Sequence, residues 1–114
     1  MANEKKALPP GQFVYPSFDR FGLGLFAKRF PAKPDTVEFT VGGDVGQPIN
    51  VGRQFAELPR VEQTSDFHCV TTWSVLDVRW AGVRFSDFYH RVVVPLAKPR
   101  DGATFVVLRG QDGY

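Results

Sequence analysis

Cysteine is nearly missing from this sequence: Cys69 is the only one in 114 residues. No internal disulfide can form, which excludes the stapled architecture of small secreted domains and fits a reducing compartment. Histidine is almost as scarce, with His68 and His90 alone, so a structural zinc site lacks the donors it needs. No sign of charge dominates either, since 14 Lys and Arg stand against 12 Asp and Glu for a net +2. A nucleic-acid partner wants a concentrated basic face, and none is expected. The basic groups at Lys5–Lys6, Lys28–Arg29–Lys33 and Lys98–Arg100 read as solvated surface, with anion binding at some of them as the alternative. No apolar run approaches the ~20 residues that span a bilayer. The first ten residues carry charge without the apolar stretch of a secretory signal behind it. Glycine loops for phosphate are missing too, since Gly22-Leu23-Gly24 stands alone. These absences leave one domain, expected in the cytoplasm, with neither nucleic acid nor membrane as a partner.

What the chain does have is aromatic mass: 11 Phe, 3 Tyr and 2 Trp. Each aromatic side chain buries on the order of 150–250 Å², so a core is available without staples. Residues 1–35 read as an irregular N-terminal arm, because Pro9, Pro10, Pro16, Pro31 and Pro34 break any periodicity. Phe13, Phe18, Phe21, Phe26 and Phe30 recur through it, which predicts an arm that wraps a core or completes a site. Val37–Val41 alternates apolar and polar as a half-buried strand does, and Pro48–Val51 reads as a second extended piece. Gln54–Leu58 predicts a helical turn or two that Pro59 stops. Arg60–Phe67 and Ser74–Val83 read as strands. Ser86 reads as an N-cap opening a helix through Val93, with Phe88 and Val92 on one face and Pro95 ending it. Ala103–Leu108 carries the strongest strand pattern, followed by turn chemistry at residues 109–113. The order of elements predicts an α+β class, a mixed β-sheet with short helices. A last strand at a sheet edge asks for a cover, from a second copy or a complementing chain.

One stretch is dense in reactive side chains: Asp66-Phe-His-Cys-Val-Thr-Thr-Trp-Ser74. Three readings of Cys69 stand side by side, as a buried small hydrophobe, as a thiolate nucleophile, or as a single-thiolate metal ligand. Adjacent side chains of an extended segment point to opposite faces, so His68 is badly placed to take the Cys69 proton. His90 is the other histidine that could meet Cys69 in space. Carboxylate pairs such as Asp35 with Glu38 lack apolar isolation and read as surface.

At this stretch the sequence resembles the sulfite-oxidase-like molybdopterin-dependent oxidoreductases. The resemblance is carried by the block Phe67-His-Cys-Val-Thr-Thr-Trp73 and by Arg79-Trp-Ala-Gly-Val83 leading into a helix. Phe21-Gly-Leu23, Arg29-Phe-Pro31 and Val41-Gly-Gly-Asp44 resemble the approach to that signature, so the likeness runs over most of residues 18–114. It implies the fold of a sulfite-oxidase-type molybdopterin-binding domain. Residues 36–114 are then its N-terminal portion, because the family's domain continues into further strands and a loop that clamps the pterin. It implies a molybdenum–molybdopterin cofactor with Cys69 as the thiolate on the metal, a soft donor suited to a metal held through sulfur. His68, Thr71, Thr72 and Trp73 are the implied pterin-lining residues, by adjacency. Arg29 is implied to touch cofactor or substrate, where a guanidinium can grip a phosphate or oxyanion bidentately. Trp80 and Phe88 read as packing beneath the site. Lys28-Arg29-Phe30 stands where sulfite oxidases carry Arg-Asn-His, so the likeness does not extend to sulfite as the substrate.

The expected function is therefore two-electron oxygen-atom transfer on a small oxyanion or sulfoxide. No haem or flavin motif is visible, so the electrons are expected to pass to a separate partner protein. The rival expectation is a cofactor-free scaffold that pairs through its last strand. A thiol enzyme built on Cys69 and His90 is the third.

Overall fold

The computed structural model describes residues 6–18, 28, 36–111 and 113. The chain divides into two compact units, Met1–Arg20 with Glu62–Ala81, and Phe21–Val61 with Gly82–Tyr114. The elements follow in the order β1 (Phe13–Val14), β2 (Phe39–Val41), β3 (Ile49–Val51), α1 (Arg53–Ala56), β4 (Arg60–His68), β5 (Trp73–Val83), α2 (Phe85–Phe88) and α3 (Tyr89–Ala97). Mixed strand pairings with short helices place the chain in the α+β class.

The first unit is built on β4 and β5. Only four residues, Cys69–Thr72, join these strands. That is far too few for a parallel crossover, so the two run antiparallel. β1 adds to the other side of β5, giving the sheet order β1-β5-β4. It pairs in parallel, with Phe13 opposite Trp73 and Val14 opposite Ser74. The Phe13 N–H reaches the Thr72 carbonyl at 2.9 Å and the Tyr15 N–H reaches the Ser74 carbonyl at 2.7 Å. So within the N-terminal stretch read as irregular, two residues form a strand. Phe18, Phe67, Trp73 and Trp80 gather on this sheet, with Phe18 edge-on to the other three at centroid distances of 5.2, 6.2 and 6.0 Å. Edge-to-face contacts of this kind suit the ring quadrupoles.

The second unit packs a small core under a two-stranded ribbon. β2 and β3 pair antiparallel, with Phe39 opposite Val51 and Val41 opposite Ile49. Val51, Leu58, Phe88, Val92, Val93 and Ala97 are buried together, with Phe39 and Phe55 packed against them. Phe39, Phe55 and Phe88 form a ring triad at centroid distances of 5.9, 5.5 and 5.8 Å. As predicted, Phe88 and Val92 share one buried face. Ile49–Val51, α1 and β4 also lie within a residue or two of where the sequence put them.

Three sequence expectations are corrected. Ala103–Leu108 forms no strand: Phe105 is 84% exposed and Leu108 is 83% exposed, and no backbone ladder partner meets it among the described residues. A strand pattern states fitness for a sheet, but only a pairing partner makes it one. Ser86 is not the N-cap, because α2 begins one residue earlier at Phe85 with Arg84 in the cap position and no side-chain cap. Pro95 does not end the helix. α3, which is a π-helix along its whole length from Tyr89, continues through it to Ala97, and the Lys98 N–H closes on the Val93 carbonyl five residues back. The wider turn relieves the clash that a proline ring makes with the carbonyl four residues before it. Left-handed Lys98, φ 55°, then stops the helix.

Candidate functional site at the Cys69 turn

The turn between β4 and β5 is closed twice by backbone bonds. The Cys69 N–H meets the Trp73 carbonyl at 2.9 Å, and the Thr72 N–H meets the Cys69 carbonyl at 3.1 Å. To close, the chain takes Thr72 to φ 78°. A β-branched residue there is an outlier that costs roughly 1–2 kcal/mol. The strain is held in place by the β1 bond to the Thr72 carbonyl on one side and by buried Trp73, 8% exposed, on the other. Strain of this kind concentrates where a loop must present a side chain in one geometry.

The side chain presented is the Cys69 thiol. It is half-buried and in no disulfide. Its Sγ lies 3.1 Å from the Thr71 hydroxyl. That hydroxyl, helped by the backbone N–H groups of Thr71 and Val70, holds the thiol below its ordinary pKa against a smaller opposing effect of desolvation. The turn thus favours a thiolate, the form that binds soft metals.

Beside it runs a chain of polar side chains. The Gln12 amide donates to the Cys69 carbonyl at 3.0 Å. The Ser74 hydroxyl, fully buried, donates to Gln12 Oε1 at 2.8 Å, and His68 Nδ1 lies 2.7 Å from Ser74 Oγ. Lower on the same strands the Asp66 carboxylate accepts the Asp77 N–H at 2.9 Å and pairs with Lys6 at 2.8 Å. Those two contacts, the Asp77 N–H first, hold Asp66 below the usual carboxylate range, and Asp66 with Asp77 raises Lys6.

The predicted residues therefore divide. Cys69, Thr71 and Thr72 lie in the turn, with His68 ending β4 and Trp73 opening β5. Trp73 is packed into the ring cluster, 5.4 Å from Phe67. Arg29 lies outside the described residues. His90 sits on α3 and bonds the Ser86 carbonyl through Nδ1 at 2.9 Å, while His68 is committed to Ser74. Trp80 belongs to the ring cluster of the first unit, and Phe88 to the core of the second. Gln12 and Ser74 escaped the sequence reading. Gln12 reaches the turn only because β1 pairs with β5, a long-range pairing that a two-residue strand cannot announce. Ser74 gave one signal, a small polar residue between Trp73 and Val75.

Among the described residues, no group of three or more His, Cys, Asp or Glu could hold a metal unaided. A single half-buried sulfur whose pKa is lowered suits a metal carried on a sulfur-donating organic cofactor. An open cleft of about 410 Å³ in the second unit, lined by Glu38, Arg53, Phe55 and Arg60, holds none of these residues.

The model of the oxidoreductase molybdopterin binding domain family matches residues 27–114. The chain belongs to that family. The chain is also 30% identical over 116 residues to the uncharacterized oxidoreductase YuiH of Bacillus subtilis (strain 168), covering 99% of this chain and 54% of that protein. It thus spans about half the length of this curated relative. No solved structure matches.

Proposed function

We propose that the chain forms the cysteine-bearing part of a molybdenum oxidoreductase that catalyses two-electron oxygen-atom transfer to or from a small oxyanion or sulfoxide-type substrate. The observation that carries this reading is the Cys69 turn. A strained four-residue link presents one half-buried thiol, biased toward thiolate by the Thr71 hydroxyl and two backbone N–H groups. Family membership supports the cofactor and the oxidoreductase class. When bound, the molybdenum–molybdopterin group supplies the two-electron redox chemistry. The chain's part is to hold and orient. Cys69 gives the metal its protein thiolate, His68, Thr71 and Thr72 border the cofactor, and Trp73 fixes the turn from the packed side. Arg29 is given a phosphate or oxyanion by the family resemblance, a role its guanidinium suits chemically. A separate partner protein takes up the two electrons when the substrate gains oxygen and supplies them when it loses oxygen, and the site of action is the cytoplasm.

Molybdenum content by plasma mass spectrometry tests the reading, on protein made in a molybdopterin-producing host. Near-stoichiometric metal in the wild-type chain, lost in Cys69→Ser with the fold intact, is the expected result. Equal metal in both proteins, or none in either, overturns it.

A second reading, a cofactor-free module that pairs through its last extended segment, has one observation in its favour. Phe105, Val106, Val107 and Leu108 stand 84%, 58%, 68% and 83% exposed in succession. Though unpaired here, an exposed segment with this strand pattern could add to a strand of another chain.

A further inference from the structure

We infer that Gln12 and Ser74 are positioning residues that fix His68 in a single tautomer and leave its Nε2 as a hydrogen-bond acceptor, for a donor group on the ligand at the Cys69 turn. The ligand half of this rests on the function proposed above. The tautomer itself rests on bonds within this chain alone.

The deduction starts from an atom with no choice. The Cys69 carbonyl can only accept, so the Gln12 group 3.0 Å from it must be the amide NH2. That orientation turns Gln12 Oε1 toward Ser74, 2.8 Å away. An amide oxygen also only accepts, so the Ser74 hydroxyl spends its one proton on Gln12. The Ser74 oxygen is then left with lone pairs, and His68 Nδ1, 2.7 Å distant, must bring the hydrogen. A neutral imidazole carries one N–H. With it on Nδ1, Nε2 is a bare acceptor. Nothing among the described residues bonds Nε2, and His68 is an exposed residue while Ser74 is fully buried. The buried end of the relay cannot trade its partners for water, so the tautomer is set from inside and read from outside.

The consequence is selectivity. A lone pair facing outward from His68 repels the oxygen of an oxyanion and accepts an N–H or O–H. A ring N–H, amino or hydroxyl group is the chemistry that fits there, and an oxyanion substrate must be gripped by another residue.

The test is nitrogen-15 NMR of the imidazoles at mildly alkaline pH, on the whole chain. In the wild type, His68 should show a protonated Nδ1 and a bare Nε2. Gln12→Leu does not touch His68, yet it frees the Ser74 proton to turn toward Nδ1, so the resonance pattern should move to the Nε2–H form. Ser74→Ala should do the same by removing the acceptor. His90, whose Nδ1 bonds the Ser86 carbonyl in the second unit, should keep its pattern throughout, and the near-ultraviolet circular dichroism of Trp73 and Trp80 reports that the first unit of each variant is folded. A wild-type His68 already in the Nε2–H form, or one unmoved by either substitution with His90 unchanged, overturns the tautomer assignment. In protein loaded with molybdopterin, the Nε2 resonance should shift as it accepts a hydrogen bond, and no shift there overturns the ligand assignment. Molybdenum content is read separately, so failure of the parent proposal and failure of this one are told apart.

Discussion

The Cys69 thiol is held below its ordinary pKa by groups no more than two residues away. The Thr71 hydroxyl at 3.1 Å is the largest influence, with the Thr71 and Val70 N–H groups behind it. Replacing Thr71 by Val keeps the shape and removes that donor. The expected outcome is a thiol pKa that rises toward its ordinary value, seen as a shift of the iodoacetamide alkylation profile to higher pH. An unmoved profile would show that the hydroxyl does not act on the sulfur. Thr72 makes a second case at this scale. Its φ of 78° is one that glycine adopts freely. Thr72→Gly should raise the stability of the apo chain by up to about 1 kcal/mol in urea titration, because the relieved strain outweighs the added chain entropy. A loss of stability there would mean that the methyl and hydroxyl of Thr72 are held by contacts worth more than the strain.

At the scale of elements, β4 and β5 are tied below the turn by charge. The Asp66 carboxylate collects the Asp77 N–H and the Lys6 ammonium. Its folded pKa lies below its unfolded value, so the tie contributes stability above the ordinary carboxylate range and loses it as pH falls through the folded value. Lys6 works with the opposite sign, since its raised pKa means a contribution that persists below the usual lysine range and fades above it. An Asp66→Asn variant should therefore be less stable than wild type at neutral pH and equal to it in strong acid, by thermal melts across pH. A gap that stays constant with pH would put the effect on packing instead. In the second unit the corresponding support is apolar. Phe88 packs against Phe39 and Phe55 with 8% of its surface exposed. Its removal to Ala should cost about 3–5 kcal/mol, a large part of a small domain's total.

For the molecule as a whole, the exposed run from Phe105 to Leu108 is the largest uninterrupted stretch of exposed apolar side chains among the described residues. If pairing through this segment governs assembly, light scattering on the eluting protein should show a dimer or larger species. Val107→Lys should return it to monomer, since a charge on an edge strand opposes addition. A wild-type monomer free of metal would count against the second reading. The cofactor reading does not depend on that result, because the Cys69 turn lies in the other unit.

The sequence by itself determined the class and the local order of elements, because these follow from short-range pattern. Alternation at Val37–Val41, a proline after α1, and the shared face of Phe88 and Val92 each need only neighbours a few residues away. It also marked Cys69, since a thiol set among His, Thr and Trp is chemically conspicuous wherever it folds. What only the tertiary structure decided depends on partners far along the chain. Gln12 reaches the Cys69 carbonyl across 57 residues of sequence and Ser74 across 62. No local propensity encodes that a glutamine just before a two-residue strand will be pressed against a particular turn. The same reason explains Ala103–Leu108, whose pattern is that of a strand and whose exposure is that of a strand without a partner. Hydrogen bonds between strands belong to pairs, and a pair is not a property of either member's sequence.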